Sequence, residues 1–210
     1  MSTAGGAGSQ RTTVVLASRN PHKVAELARI LAQADLDLQL RGIDEFPEVP
    51  EVAETGSTFA ANALLKAAAV CEATGLAAIA DDSGLAVDAL NGMPGILSAR
   101  WAGRQGDDVA NLQLLLGQLA HVPANRRTAA FHCAAAVVLP DGTQRVVEAT
   151  LDGSVIDEPR GANGFGYDPI FVPVGEVRTT AELSAQEKDA ISHRGRALAA
   201  LVPVLRDLFG

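Results

Sequence analysis

The stretch LAAIADDSGLAVDAL, residues 76–90, sets two adjacent aspartates, Asp81 and Asp82, between two apolar runs. Each run is short and rich in Ala, Leu, Ile and Val, which reads as a pair of buried strands on either side of the DDSG step. Successive side chains of a strand point to opposite faces, so both carboxylates can face one cleft only if the strand ends between them. One of them is therefore expected to face a ligand. The small Ser83-Gly84 step lets backbone approach a bound group closely, and oxygen donors with no His or Cys nearby favour Mg2+ over a transition metal. The competing reading is a plain turn cap, because Asp, Ser and Gly are the usual turn residues.

Outward from this point the chain alternates strand and helix. Upstream, TTVVLAS (12–18) reads as a strand, and RNPHKVAELARILAQA (19–34) as a helix with Val24, Leu27, Leu31 and Ala34 on one face. Asn20 before Pro21 is an N-cap followed by proline at the first helical position. A loop rich in proline and acidic residues runs from Ile43 to Gly56, and a strong helix opens at Ser57 or Thr58 and closes at Gly75. Downstream, NGMPGILSARWAG (91–103) is a loop before a helix from about Asp107 to Leu119. RTAAFHCAAAVVL and TQRVVEATLDGSVI form two long strands joined by PDGT, the signature of an antiparallel hairpin. A glycine-rich loop, EPRGANGFGYDPIF, precedes a capping box of Ser184 with Glu187 and a last amphipathic helix from near Ser192.

Composition narrows the partners. The chain has 210 residues, 48% of them hydrophobic, enough for one large α/β domain over 12–210 behind a flexible tail at 1–11. A net charge of −8 argues against tracking a nucleic-acid backbone, and no run approaches the roughly 18–20 apolar residues of a membrane span. Cys71 and Cys133 show no CxxC spacing and read as buried free thiols, which fits a reducing cytoplasm.

Four further stretches carry chemistry. SRNPHK, Ser18 to Lys23, stands at a strand-to-helix junction, where free N–H groups and the helix dipole can bind phosphate; a capped helix with a solvated lysine is the plainer reading. It is not a Walker A loop, since GxxxxGK[ST] is absent. Asn62 and Lys66, four residues apart, share a helix face, and Lys66 interrupts an Ala- and Leu-rich surface, either to meet an anion or to snorkel. Glu54, at the end of the preceding loop, is a candidate to join Asp82 on a metal. In GFGYDP, Phe165 offers a ring for stacking on a base and Asp168 can hold a loop or a hydroxyl, against the alternative of an aromatic plug. EKDAISHRGRAL puts Lys188, His193 and Arg194 together, the last two in a helix's first turn, where cations oppose the dipole and call for a nearby anion.

Taken in order, SRNPHK, ETGSTFAANALLKA, ADDSGLAVDALNGMPGILSARWAG, GFGYDPIF and EKDAISHRGRAL resemble the inosine triphosphate pyrophosphatase family, enzymes that hydrolyse non-canonical purine nucleoside triphosphates such as ITP, dITP and XTP. The resemblance runs from Val14 to about Leu205. It implies an α/β fold with a long mixed central β-sheet, helices on both sides and a nucleotide cleft between two lobes, in a homodimer using Mg2+. It also implies roles. Asp82 is the expected catalytic acid/base and Mg2+ ligand with Asp81 in support, and Glu54 the second metal ligand. Ser18, Arg19, Asn20, Pro21, His22 and Lys23 are expected to bind the phosphate chain, with Lys66 and Lys188 nearby. Ser83, Phe165, Gly166, Tyr167 and Asp168 are expected against the substrate, and His193 and Arg194 at the base. Ala53 stands where relatives often carry a second acid, and Trp101 where Tyr or Phe is common. Two rivals are a non-catalytic nucleotide sensor and a Mg2+-dependent phosphatase; the haloacid-dehalogenase type needs Asp-x-Asp at a strand end, which DDSG lacks.

Overall fold

The computed structural model describes residues 11–34 and 36–210, so most of the expected N-terminal tail lies outside the described residues. Strand β1 (Thr12–Leu16) leads through helix α1 (Pro21–Gln33) to β2 (Leu38–Gly42), and α2 (Phe59–Thr74) leads into β3 (Ala77–Val87). A two-residue strand, β4 (Met93–Pro94), and α3 (Asp108–Leu119) precede the long hairpin of β5 (Thr128–Val138) and β6 (Gln144–Val155). The chain ends with β7 (Phe171–Pro173), α4 (Ala185–Ile191) and α5 (His193–Phe209). The sheet order is β2-β1-β3-β5-β6-β7, with β4 beside β3. It is mixed: β1 runs parallel to both β2 and β3, while β3–β5, β5–β6 and β6–β7 are antiparallel.

Local signals account for most boundaries. Asn20 caps α1 by accepting from the His22 and Lys23 N–H groups, with Pro21 in the first turn. Thr58, rather than Ser57, caps α2 through the Ala61 N–H. The Ser184–Glu187 capping box opens the short helix α4, and Ser192 separately caps α5. The main departure concerns DDSG. Instead of two strands around a turn, β3 continues unbroken for 11 residues, in register with β5 from Ala78↔Val138 to Val87↔Ala129. The ladder with β5 runs on through Asp81 to Gly84, so these small polar residues extend the strand instead of turning it. The 91–103 loop likewise contains β4 and a 3-10 segment, Gly95–Arg100.

Because β3 is continuous, its alternation sorts the core. Ala78 and Ala80 pack with Ala63, Ala67, Val70 and Cys71 of α2. Ala77 and Ile79 pack on the opposite face with Leu27 and Leu31 of α1 and Leu198, Leu201 and Leu205 of α5. Further along the same strands, Leu85, Val87, Ala129 and Phe131 join Leu112, Leu115 and Leu119 of α3, Tyr167, Ile170 and Phe171. Asp81 to Gly84 fall between these apolar groups. Among the described residues no helix is long and apolar enough to cross a membrane.

Gly84 is where the Gly95–Arg100 segment lies on the strand: a Cβ there would collide with the Gly95 carbonyl and Ser98 Oγ, while one at the exposed Gly117 of α3 meets nothing within 4 Å. Gly84→Ala should therefore destabilise by about 1–3 kcal/mol through overpacking against backbone. Gly117→Ala should stabilise by about 0.5–1 kcal/mol through the helix preference for alanine. Urea unfolding of both variants would check the pair, and equal effects would refute the close approach.

Candidate active site

The unbroken strand sends its two aspartates to opposite sides. Asp81, on the α1/α5 side, has Lys23 Nζ at 3.0 Å and Arg194 Nε at 3.2 Å, and its side chain is 1% exposed. Asp82, on the α2 side, has Lys66 Nζ at 3.0 Å on Oδ1 and accepts from Asn62 Nδ2 at 3.2 Å on Oδ2. Only Asp82 lines the cleft of about 600 Å³ that opens between the apolar groups. Their electrostatics diverge accordingly. Burial alone would raise Asp81, but Lys23, Arg194 and Lys66 outweigh it and hold its carboxyl well below the ordinary range. Burial raises Asp82, Lys66 opposes that rise, and the charge of Glu54 adds to it, so its carboxyl stays above the ordinary value.

One wall of the cleft comes from the β1–α1 junction. Ser18, Arg19, Asn20 and Lys23 line it; Pro21 and His22 do not. The expected free N–H groups are already used. Asn20 Oδ1 accepts from His22 N and Lys23 N, Pro21 has no donor, and Val24 N donates to the Asn20 carbonyl. Side chains, chiefly the Lys23 ammonium, are what this junction offers an anion. Arg19 Nη2 donates to the Val49 carbonyl at 2.6 Å. His22 stacks on Phe165, with ring centroids 5.5 Å apart.

A second wall is the 165–168 loop, held by its own Asp168 and by Asp108 and Ser98. Phe165 N donates to Asp168 Oδ2 at 2.8 Å, Gly166 N to Asp108 Oδ2 at 2.8 Å, and Tyr167 Oη to the Ser98 carbonyl at 3.0 Å. Asp168 also accepts from Thr180 Oγ1 at 2.8 Å and from Lys188 Nζ at 2.5 Å, so it binds the loop to α4. Phe165 is left half-buried, with Lys188 Nζ 5.4 Å and Arg194 Cζ 5.6 Å from its ring centre.

His193 and Arg194 form the floor. The anions that the first turn of α5 called for are protein groups: Arg194 Nη1 donates to Glu26 of α1, Nε to Asp81, and Nη2 to Ser83 Oγ at 2.8 Å. His193 stacks on Phe131 at 4.8 Å, and its Nδ1 has no partner among the described residues. Burial, then the charges of Arg194 and Lys188, push its imidazole well below the ordinary value, so it is neutral.

Among the described residues a metal would find two carboxylates together in the cleft, Glu54 and Asp82. Lys66 Nζ lies 2.8 Å from Glu54 Oε1 and 3.0 Å from Asp82 Oδ1, so both acids converge on one cationic point. Among the described residues no group of three His, Cys, Asp or Glu side chains could hold an ion. That donor set suits Mg2+, which takes one or two carboxylates and completes its shell with substrate phosphates and water. Sequence reasoning missed Glu26, which neutralises Arg194, Asp108, which holds Gly166, and Arg100, whose Nη1 donates to Glu54 Oε2 at 2.8 Å. Glu26 carried one signal, a charge next to Leu27 on the buried face of α1.

The division of labour between the aspartates is testable in stability alone. Asp81→Asn leaves Arg194 and Lys23 without their shared counter-ion and should destabilise by about 3–5 kcal/mol. Asp82→Asn should be close to neutral, because Lys66 keeps Glu54. Asp81 has a folded pKa below its ordinary 3.8, so its contribution is complete above that value and is lost as pH falls through the depressed one. Urea unfolding from pH 7 to pH 2 should show the gap between wild type and Asp81→Asn closing at the acid end; a constant gap would contradict the ion pairing.

The chain matches the Ham1 family over residues 14–204. It is 62% identical over 199 residues to the dITP/XTP pyrophosphatase of Streptomyces coelicolor, covering 95% of this chain and 100% of that protein. It is 58% identical over 196 residues to that of Mycobacteroides abscessus, covering 93% and 95%. The crystal structure of the nucleoside-triphosphatase, or dITP/XTP pyrophosphatase, from Mycobacterium abscessus superposes with a TM-score of 0.76 at 58% identity, over 91% of this chain and 100% of that one. A HAM1 protein from Coxiella burnetii superposes at 0.85 with 44% identity, over 93% and 99%. With its fold and nearly its whole length in common with these proteins, the chain belongs to the Ham1 family.

Proposed function

We propose that this chain hydrolyses non-canonical purine nucleoside triphosphates, dITP, ITP and XTP, to the monophosphate and pyrophosphate. The observation that carries the reading is the split of the adjacent carboxylates: Asp81 is locked in an ion pair below its ordinary pKa, and Asp82 faces the cleft with its affinity for a proton raised. Pairs of acids pushed apart in this way mark acid/base assignments. In this reading Asp82 takes the proton of a water attacking the α-phosphorus. The new P–O bond forms as the bond to the bridging oxygen of the β-phosphate breaks, and pyrophosphate leaves.

Every lysine in the cleft is paired: Lys23 with Asp81, Lys66 with Asp82 and Glu54, Lys188 with Asp168. A triphosphate entering between them competes for these ammonium groups, and with Lys66 turned to phosphate, Asp82 and Glu54 would be the residues to hold Mg2+. The metal, when bound, supplies neutralisation of the charge that builds on the phosphate oxygens. Phe165 provides a stacking face for the purine. Neutral His193 and the remaining N–H groups of Arg194 offer hydrogen bonds to its edge, where a 6-oxo group accepts and the adenine amino group does not. Mg2+ as the metal, a cytoplasmic setting and a homodimer belong to the same proposal: the first is supported by the oxygen donors and the family resemblance, the second by the free thiols Cys71 and Cys133, and the third by the resemblance alone.

Two measurements test it. A panel of ITP, dITP, XTP, GTP and ATP, assayed separately for pyrophosphate and orthophosphate, should give pyrophosphate from the first three. ATP should react about 10⁴-fold less efficiently, since a mismatched edge leaves buried polar groups unpaired. Release of orthophosphate, or binding with no release at all, would overturn the reading. Asp82→Asn should lower kcat about 10²–10⁴-fold, the usual share of a general acid or base, with its melting temperature unchanged; near wild-type turnover would remove Asp82 from the chemistry.

A further inference from the structure

Asn62, in the first turn of α2, is fully enclosed beside Ala63, yet it is polar. A buried amide is tolerated only if its donor and acceptor are satisfied, and here each has one partner. Oδ1 accepts from Gly56 N at 2.8 Å, and Nδ2 donates to Asp82 Oδ2 at 3.2 Å. The chemistry of the partners admits one orientation: a backbone N–H only donates and an ionised carboxylate only accepts. Gly56 follows Glu54 by two residues, so this one amide ties the loop that carries Glu54 to the strand that carries Asp82. The terminal torsion of an aspartate is broad and twofold. Something must therefore fix the plane of the Asp82 carboxylate, so that one of its two equivalent oxygens faces Lys66 and the cleft.

We propose that Asn62 is a positioning residue, which sets the orientation of the Asp82 carboxylate and its separation from Glu54 and so prepares the pair to share a divalent cation. This rests on the assignment of Asp82 made above. Lys66 and Arg100 hold the same two acids by charge, but ammonium and guanidinium contacts are the ones a triphosphate competes for. The Asn62 contacts lie out of reach of such exchange, enclosed beneath α2. They keep the geometry while the ion pairs change partners. Loss of a group that orients a metal ligand typically lowers metal affinity or activity about 10–100-fold.

The test uses Asn62→Ala and Asn62→Asp in the full-length protein. Asn62→Asp keeps an acceptor for Gly56 N but, at a pH where it is ionised, has no donor for Asp82. With ITP, both variants should lower kcat and raise the Mg2+ concentration for half-maximal rate by about 10–100-fold each, with the KM for nucleotide changed far less. Mn2+ binding followed by electron paramagnetic resonance, with a non-hydrolysable α,β-imido analogue of ITP present, should weaken by the same factor. In an Asp82→Asn background, Asn62→Ala should add little to the loss of Mn2+ affinity, because the carboxylate it orients is gone. A full additional loss there, or wild-type metal dependence in Asn62→Asp, would overturn the proposal. If Asn62→Ala melts far below wild type, Asn62→Asp, which retains the loop contact, decides the matter. Wild-type turnover in Asp82→Asn alone would instead reject the assignment of Asp82, and the proposal with it, whereas an inactive Asp82→Asn beside normal Asn62 variants would reject this inference only.

Discussion

The buried charge group of Asp81, Arg194, Glu26 and Lys23 is the constraint on which the rest of the site depends. Arg194 is 2% exposed and sits between two carboxylates, one from β3 and one from α1, while belonging to α5. Removing such charges from water is expensive and is offset only when the geometry is good and the remaining hydrogen bonds are made. Here Arg194 is satisfied, since Nη2 reaches Ser83, while Glu26 Oε1 is left without a partner among the described residues. The group stands at the point where the apolar packing of α1 and α5 on the sheet gives out, and it continues that packing by charge. It thereby fixes Ser83, aims Lys23 along the junction wall, and leaves Asp82 as the β3 acid that faces the cleft.

This arrangement also explains how a chain of net charge −8 can offer a pocket to a polyanion. Lys23, Lys66, Lys188 and Arg194 converge on the cleft from α1, α2, α4 and α5, and each is kept in place by a partner of opposite sign. Compensated charges hold their side chains ordered, and exchanging one anion for another avoids desolvating a bare ammonium at the moment of binding. The acids that line the cleft are thus part of the same device as the lysines.

Much of this was legible in the sequence, and the limits are physical. Asn20 with Pro21, Thr58 and the Ser184–Glu187 box are local contacts within four residues, and they read correctly because chemistry and spacing coincide. The DDSG step misled because the same small polar residues that make turns also fit a strand whose neighbours supply the hydrogen bonds; β5, which supplies them, comes 46 positions after Asp82 in the chain. The anion at the start of α5 was inferred from the dipole, but its identity was not, because Arg194 meets Asp81 across 113 residues and Glu26 across 168. No local pattern encodes a pairing of that span. The same holds for Gly166 with Asp108, 58 residues apart.

The alternation of β3 makes the site sensitive to phase. Asp81 and Asp82 have the same chemistry, and what separates them is whether they stand at an odd or an even place along the ladder with β5. A substitution elsewhere in the strand alters packing and leaves that parity intact. An inserted residue directly after Ala77 would exchange the two seats, turning one carboxylate toward α2 and the other toward Arg194, and would flip Ala78 and Ile79 across the sheet with them. Natural variation in this segment should therefore run through changes of residue at constant length, with length changes confined to the loops on either side.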